Sequence, residues 1–300
     1  MRITLGVEWS QVGPRLRVRD DTSNTSQLVD LIGTTWNYRC TGVRVCPGHH
    51  ATRTDGSREF VDCQAQVTKR TRCERCSTVE AVFASNLHRA HKLGRTYVDH
   101  RLAEHLDQPH RLYIAGFADG SIKVGTTAGV SGGVRLAEQA AWVASYVLLA
   151  PDGYVVRDVE DAITERLAVA QAVSAHQKRA GMLAPKPTDE VAALVASART
   201  RVHQLIDSEP GLAPRCETLA DDWYFGGIDT PPWRGLAAYP NRLDSGAHEF
   251  TVDDMCGRFA SLVRDGTPDR YVADLGELTG VEIQVGEHDP DPVEVQASLF

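Results

Sequence analysis

The chain lacks any apolar run of about 18 residues, the shortest stretch that reads as a membrane-spanning helix, so no membrane partner is expected. Its opening, Met1-Arg2-Ile3-Thr4-Leu5, has no charged region followed by an apolar core, so no secretory leader is expected. No internal repeat or low-complexity tract occurs. Positive charge is also in deficit: 32 Lys and Arg against 40 Asp and Glu leave a net −8, which argues against a general nucleic-acid binder. What remains is ordinary globular composition, 300 residues at 42% hydrophobic, long enough for two modest domains and expected in the cytoplasm.

The charge is uneven. Residues 1–112 carry 17 basic and 12 acidic side chains (+5), residues 113–180 carry 6 and 7 (−1), and residues 181–300 carry 9 and 21 (−12). A nucleic-acid partner, if there is one, would meet the basic N-terminal half; the plainer account is a solvated basic face beside an acidic tail. The five histidines 88, 91, 100, 105 and 110 share no helical face, and solvent exposure is expected for them.

Seven cysteines are present, and five of them fall between positions 40 and 76. In a reducing compartment such clustering points to metal or catalysis rather than to cross-links. Cys73-Glu74-Arg75-Cys76 places two thiolates on one tight turn, half of a tetrahedral zinc site. The other half is open among Cys40, Cys46, His49, His50 and Cys63, with Cys46-Pro47-Gly48-His49 carrying knuckle spacing and turn residues. Cys216 and Cys256 stand alone and are expected in the core.

Periodicity outlines the elements. Residues 1–40 alternate apolar and polar like a small sheet, residues 40–76 show little periodicity, and residues 78–106 lean helical. Strands are expected at 112–117 and 122–126 around the Asp119-Gly120 turn, then a helix from 134 to 141 and a strand from 142 to 149. One long helix is expected from Val155 to about Arg179, and another from a Thr188 cap to about Ser208. Residues 210–250 read as irregular, short strands return near 258–263, 270–272 and 281–285, and Asp289-Pro290-Asp291-Pro292 reads as a flexible acidic end.

Arg111-Leu112-Tyr113, Lys123-Val124-Gly125, Arg135 and a helical Glu160 together resemble the GIY-YIG nuclease pattern. The chain also resembles a bacterial family, domain of unknown function 2797. That likeness runs through His110 to Ala115, Lys123 to Thr127, Arg135 to Ala141, Asp152-Gly153 with Glu160, and an upstream cluster from Cys40-Thr41-Gly42 to Cys76. It covers about residues 35–180. By this resemblance the zinc ligands would be Cys40, Cys63, Cys73 and Cys76. Tyr113 would help activate water, Arg135 would bind the scissile phosphate, and Glu160 would hold a divalent Mg or Mn ion. The chain departs from the pattern where Lys123 replaces the second tyrosine and where Gln139-Ala140-Ala141 replaces Gln-Gly-Ala. Lysine can meet a phosphate but lacks a tyrosine's acid–base range. Arg135 and Glu138, three apart on one helix, are also placed to pair with each other.

The expected fold is α+β: a β-rich zinc-binding region (1–107), a GIY-YIG-like β-β-α-β-α core (108–182), and a linking helix with a β-rich C-terminal segment (183–300). Three functions compete: a metal-dependent phosphodiesterase or nucleic-acid-processing protein with structural zinc, a catalytically inactive zinc-containing nucleic-acid-binding module, and an enzyme acting on a small anionic substrate. A GIY-YIG-like endonuclease is the enzyme reading of the first.

Overall fold

The computed structural model describes residues 1–20, 25–53, 58–129, 132–212, 215–226, 233–264 and 269–292. In chain order the strands and helices begin with β1 (Arg2–Ser10), β2 (Gly13–Asp20), β3 (Ser26–Asp30), β4 (Thr35–Arg44), β5 (His49–Thr52), β6 (Arg58–Val61) and α1 (Glu74–Leu93). They continue with α2 (His100–Leu106), β7 (His110–Gly116), β8 (Ile122–Ala128), α3 (Gly132–Glu138), β9 (Val143–Ala150), α4 (Gly153–Leu167), α5 (Ala175–Leu183) and α6 (Thr188–Ser208). The remaining strands are β10 (Glu217–Tyr224), β11 (Ala237–Ala238), β12 (Ala247–Cys256), β13 (Phe259–Val263), β14 (Arg270–Asp274) and β15 (Val281–Val285). The architecture is α+β. No helix among the described residues is long and apolar enough to cross a membrane.

The chain packs as two compact units, each built from more than one stretch of sequence. One compact unit comprises Met1–His49, Asp62–Ser77 and Pro232–Phe300, and the other comprises His50–Val61 and Thr78–Pro231. In the first unit a nine-stranded sheet runs β11-β14-β13-β12-β4-β15-β1-β2-β3. The C-terminal strands complete the N-terminal sheet: Ile283 lies opposite both Arg2 and Cys40, and Phe250 lies opposite Trp36. Leu16, Val18, Tyr38, Phe250, Val252 and Ile283 gather on one buried core. Burying each such side chain contributes about 1.5–3 kcal/mol. The acidic end at 289–292 is tied down, since the Asp291 amide donates to the Ala247 carbonyl at 2.9 Å.

The second unit holds a four-stranded sheet, β10-β9-β7-β8. The order β-hairpin, helix, strand, helix expected for residues 111–180 is present, with α6 packed on the sheet. Gly116 permits that approach, because a Cβ there would lie 2.7 Å from Val191 Cγ1. Asp152 caps α4, accepting from the amides of Tyr154 and Val155. Thr188 is the first residue of α6 and not its cap, a place taken by Pro187.

Two expectations fail here for physical reasons. The helix predicted from Val155 to Arg179 breaks at Ala168, whose φ of 55° ends α4 in the left-handed region. The chain then runs extended, and the Ala170 carbonyl accepts from the Val124 amide at 2.8 Å. The apolar spacing past residue 167 therefore serves an extended segment, and Ser174 caps a separate α5. Residues 210–250, read as irregular, contain β10, whose largely exposed, acid-rich Glu217–Tyr224 lacks the alternation that marks a half-buried strand.

Candidate functional site

The cysteine cluster belongs to the first unit. Beyond β4, Val45 bridges Gln66, the Cys46 amide donates to the Ala65 carbonyl at 2.8 Å, and the Val67 amide donates to the Arg44 carbonyl at 3.0 Å. This pairing carries Cys46 and Cys63 to the start of α1, where Cys73 precedes the helix and Cys76 lies in its first turn. The sulfurs of Cys46, Cys63, Cys73 and Cys76 all lie within 4.8 Å of one another, and Cys63 and Cys73 are 3.9 Å apart. A tetrahedral ion with zinc–sulfur bonds of about 2.3 Å requires sulfur–sulfur edges of about 3.8 Å. The set could hold a metal such as zinc.

Cys40 is not in the cluster. It sits within β4, its amide bonded to the Gly246 carbonyl and its thiol 3.3 Å from the Leu243 carbonyl, and burial pushes that thiol up to about 11. The six-residue step from Cys40 to Cys46 spans the end of the strand, so only Cys46 reaches the bridge to Gln66. The legible signal was Cys46-Pro47-Gly48, since the Gly48 amide faces the Cys46 sulfur as a knuckle requires. His49 is buried with Nδ1 3.3 Å from Cys76 Sγ, where it touches a ligand sulfur without joining the set. The Cys76 amide turned toward Cys73, reinforced by neighbouring thiols, lowers Cys73 to about 7. The buried Arg19 pairs with Asp62 at 2.5 Å, and the Cys63 amide donates to the same carboxylate at 2.8 Å. Cys256 is buried and Cys216 half-buried, both apart from the cluster.

The second unit carries the other candidate residues. Tyr113 on β7 lies opposite Gly125 on β8, and a Cβ at Gly125 would sit 2.5 Å from the Tyr113 hydroxyl. The missing side chain gives the tyrosine ring its seat. Gln139, just beyond α3, joins the constellation. Its Nε2 donates to the Tyr113 hydroxyl at 2.7 Å, its Oε1 accepts from Lys123 Nζ, and its backbone carbonyl accepts from Lys178 Nζ at 2.7 Å. Burial raises Tyr113 above the usual phenol range.

Lys123 is 8% exposed. Burial, reinforced by the charges of Lys178 and Arg135, lowers its ammonium to about 8. The charges of Arg135, Glu160 and Arg157 act on both Tyr113 and Lys123. Glu160 is 3% exposed and its carboxylate pairs with Arg157. Arg135 is half exposed and pairs with Glu138 at 2.9 Å. Among the described residues no carboxylate pairs with Lys123.

Sequence reasoning did not assign Gln139, Arg157 or Lys178 to the site. Lys178 lay inside the supposed long helix, and only the break at Ala168 brings it round to Gln139. Ala140 has a φ of 62°, the left-handed region that glycine enters freely, and this is the glycine position of the pattern from which the chain departs. The histidines expected in solvent include the buried His110, on the Gln108 carbonyl at 2.8 Å, and the half-buried His91, whose side chain meets Asp161 at 3.0 Å.

Residues 33–213 match the family described as Protein of unknown function (DUF2797), and the chain belongs to that family. No curated protein and no solved structure gives a significant match.

Proposed function

We propose that the second unit is a GIY-YIG-like core that recognises the phosphate groups of a nucleic-acid strand, and that the Cys46–Cys63–Cys73–Cys76 set holds a structural zinc ion. One observation carries the reading: among the described residues Lys123 is buried without a carboxylate partner, beside Lys178, Arg135 and Arg157, while Glu160, whose charge acts on it, is already engaged by Arg157. A buried ammonium is costly unless its charge is compensated. A phosphate oxygen entering past the exposed Arg135 supplies that compensation and releases counterions from the strand.

The grouping of Tyr113 with Glu160 favours a second reading, metal-dependent phosphodiester hydrolysis. A Mg or Mn ion would be held by Glu160 and would stabilise charge on the reacting phosphate. Tyr113 would orient the attacking water and Arg135 would bind the scissile phosphate. In that reading the metal would take the Glu160 oxygen that Arg157 leaves open.

The test incubates the whole protein with labelled single- and double-stranded DNA and RNA, with and without Mg²⁺ or Mn²⁺, beside Arg135→Ala, Glu160→Gln and Lys123→Met. Salt-dependent binding that Lys123→Met weakens at least tenfold and Glu160→Gln leaves in place supports recognition without hydrolysis. Cleavage abolished in both Arg135→Ala and Glu160→Gln selects the second reading. Failure to bind any strand overturns both, leaving a small anion as the ligand.

A further inference from the structure

The segment between Cys63 and Cys73 contains no acidic residue; it reads Gln64-Ala65-Gln66-Val67-Thr68-Lys69-Arg70-Thr71-Arg72. Both of its ends are anchored. Ala65 and Val67 exchange backbone hydrogen bonds with Cys46 and Arg44, and Arg72 Nε donates to the Gly48 carbonyl at 2.9 Å. Its two flanking cysteines belong to the sulfur cluster. What projects between the anchors is Thr68-Lys69-Arg70-Thr71, all four exposed, with the exposed Arg75 one turn further on in α1.

The charges there are unspent. Among the described residues Lys69, Arg70 and Arg75 have no hydrogen-bond or ion-pair partner, whereas Arg2, Arg17, Arg19, Arg44, Arg258 and Arg270 of the same unit each hold a carboxylate. A loop that only needed solubility could carry mixed charge. This one carries three cations of one sign, two threonine hydroxyls and no large apolar side chain at its crest. Cations and hydroxyls are the groups that meet phosphate and sugar in sequence-independent recognition. The absence of an apolar crest removes what a bilayer-inserting loop would need.

We propose that the loop closed by the cysteine cluster, with Lys69, Arg70 and Arg75 as its binding groups, is a second nucleic-acid-binding surface that grips the phosphate backbone. It is separate from the Lys123 site and does not depend on it. The bound metal would hold the loop ends at fixed spacing, so the cations are presented without the entropy cost of ordering a free loop.

The experiment measures binding of a labelled oligothymidylate and an RNA of equal length to the whole protein across a salt series. It compares wild type, Lys69→Glu/Arg70→Glu/Arg75→Glu, the milder Lys69→Gln/Arg70→Gln, and Lys123→Met, with zinc content and circular dichroism recorded for each. The expected result is binding at least tenfold weaker in the triple variant, with zinc and spectrum retained. Its salt slope should be shallower by up to about 2, near 0.7 for each phosphate of a single strand no longer neutralised. If the triple variant loses zinc or folds poorly, the milder pair is decisive, with an expected slope change of up to about 1.4. Affinity and slope unchanged in the folded variants overturn the proposal, as does wild-type protein that binds anionic vesicles and neither oligonucleotide. Weakening confined to Lys123→Met leaves the Lys123 site standing and this surface refuted; weakening confined to the loop variants does the reverse.

Discussion

The two units carry sites of opposite electrical sense. In the first, four sulfurs converge that become anions on metal binding. In the second, Lys123, Lys178, Arg135 and Arg157 converge with one engaged carboxylate. On the proposed reading the first set is completed by a cation and the second by an anion. The energetics differ accordingly. Thiolates around zinc gain folding free energy directly, because the unfolded chain offers no preformed site. A buried lysine without a counter-charge costs stability.

The largest expected effect separates Cys46 from Cys40. Cys46→Ser or Cys76→Ser should release the metal and cost more than about 4 kcal/mol, the range reached when a metal site is removed. Cys40→Ser should keep one equivalent of metal and cost about 1 kcal/mol, the worth of one hydrogen bond. Metal analysis and urea unfolding of the three variants check this. Metal absent from Cys40→Ser and kept by Cys46→Ser would reverse the assignment.

Next comes the opposite response in the second unit. Lys123→Met should weaken strand binding while stabilising the free protein by about 1–3 kcal/mol near pH 7, since an uncompensated buried charge is removed. The pH dependence follows from the direction of the shift. The folded-state value, about 8, lies below the ordinary 10.5, so below pH 8 the amine is charged in folded and unfolded chains alike and the penalty is complete. Between these values the unfolded chain binds more protons, so stability rises with pH. The advantage of Lys123→Met should therefore shrink between pH 8 and 10.5. A constant advantage across that window would mean the lysine is compensated by another group.

The smallest effect is conformational. Ala140→Gly should stabilise by about 0.5–1 kcal/mol by relieving the left-handed backbone beside Gln139. A drop in stability in that variant would show that the Ala140 methyl packs productively where it is buried.

Much of the second unit was legible in the chain. The Asp119-Gly120 turn and the apolar runs of β7 and β9 are local signals, and Tyr113, Lys123, Arg135 and Glu160 lie on or beside the elements they set. Gln139 and Lys178 were not legible, because their roles depend on a helix that stops at Ala168 in favour of a backbone hydrogen bond to β8. The cysteine set was half legible. Cys73 and Cys76 share one turn, whereas Cys46 reaches them through a bridge to Gln66, a pairing between distant stretches that leaves no periodic trace.

Local chemistry in the sequence thus determined the knuckle at Cys73 and Cys76, the strand–turn–strand around Gly120, and the basic crest at Lys69-Arg70. These rest on interactions between residues a few positions apart. Tertiary structure alone decided that β15 and β12 flank β4, that Cys40 turns to Leu243 while Cys46 joins the sulfurs, and that Lys123 is buried without a counter-charge. Each of those outcomes depends on which distant strand supplies the hydrogen bonds and which side chains exclude water, and neither is written in any short stretch of the chain.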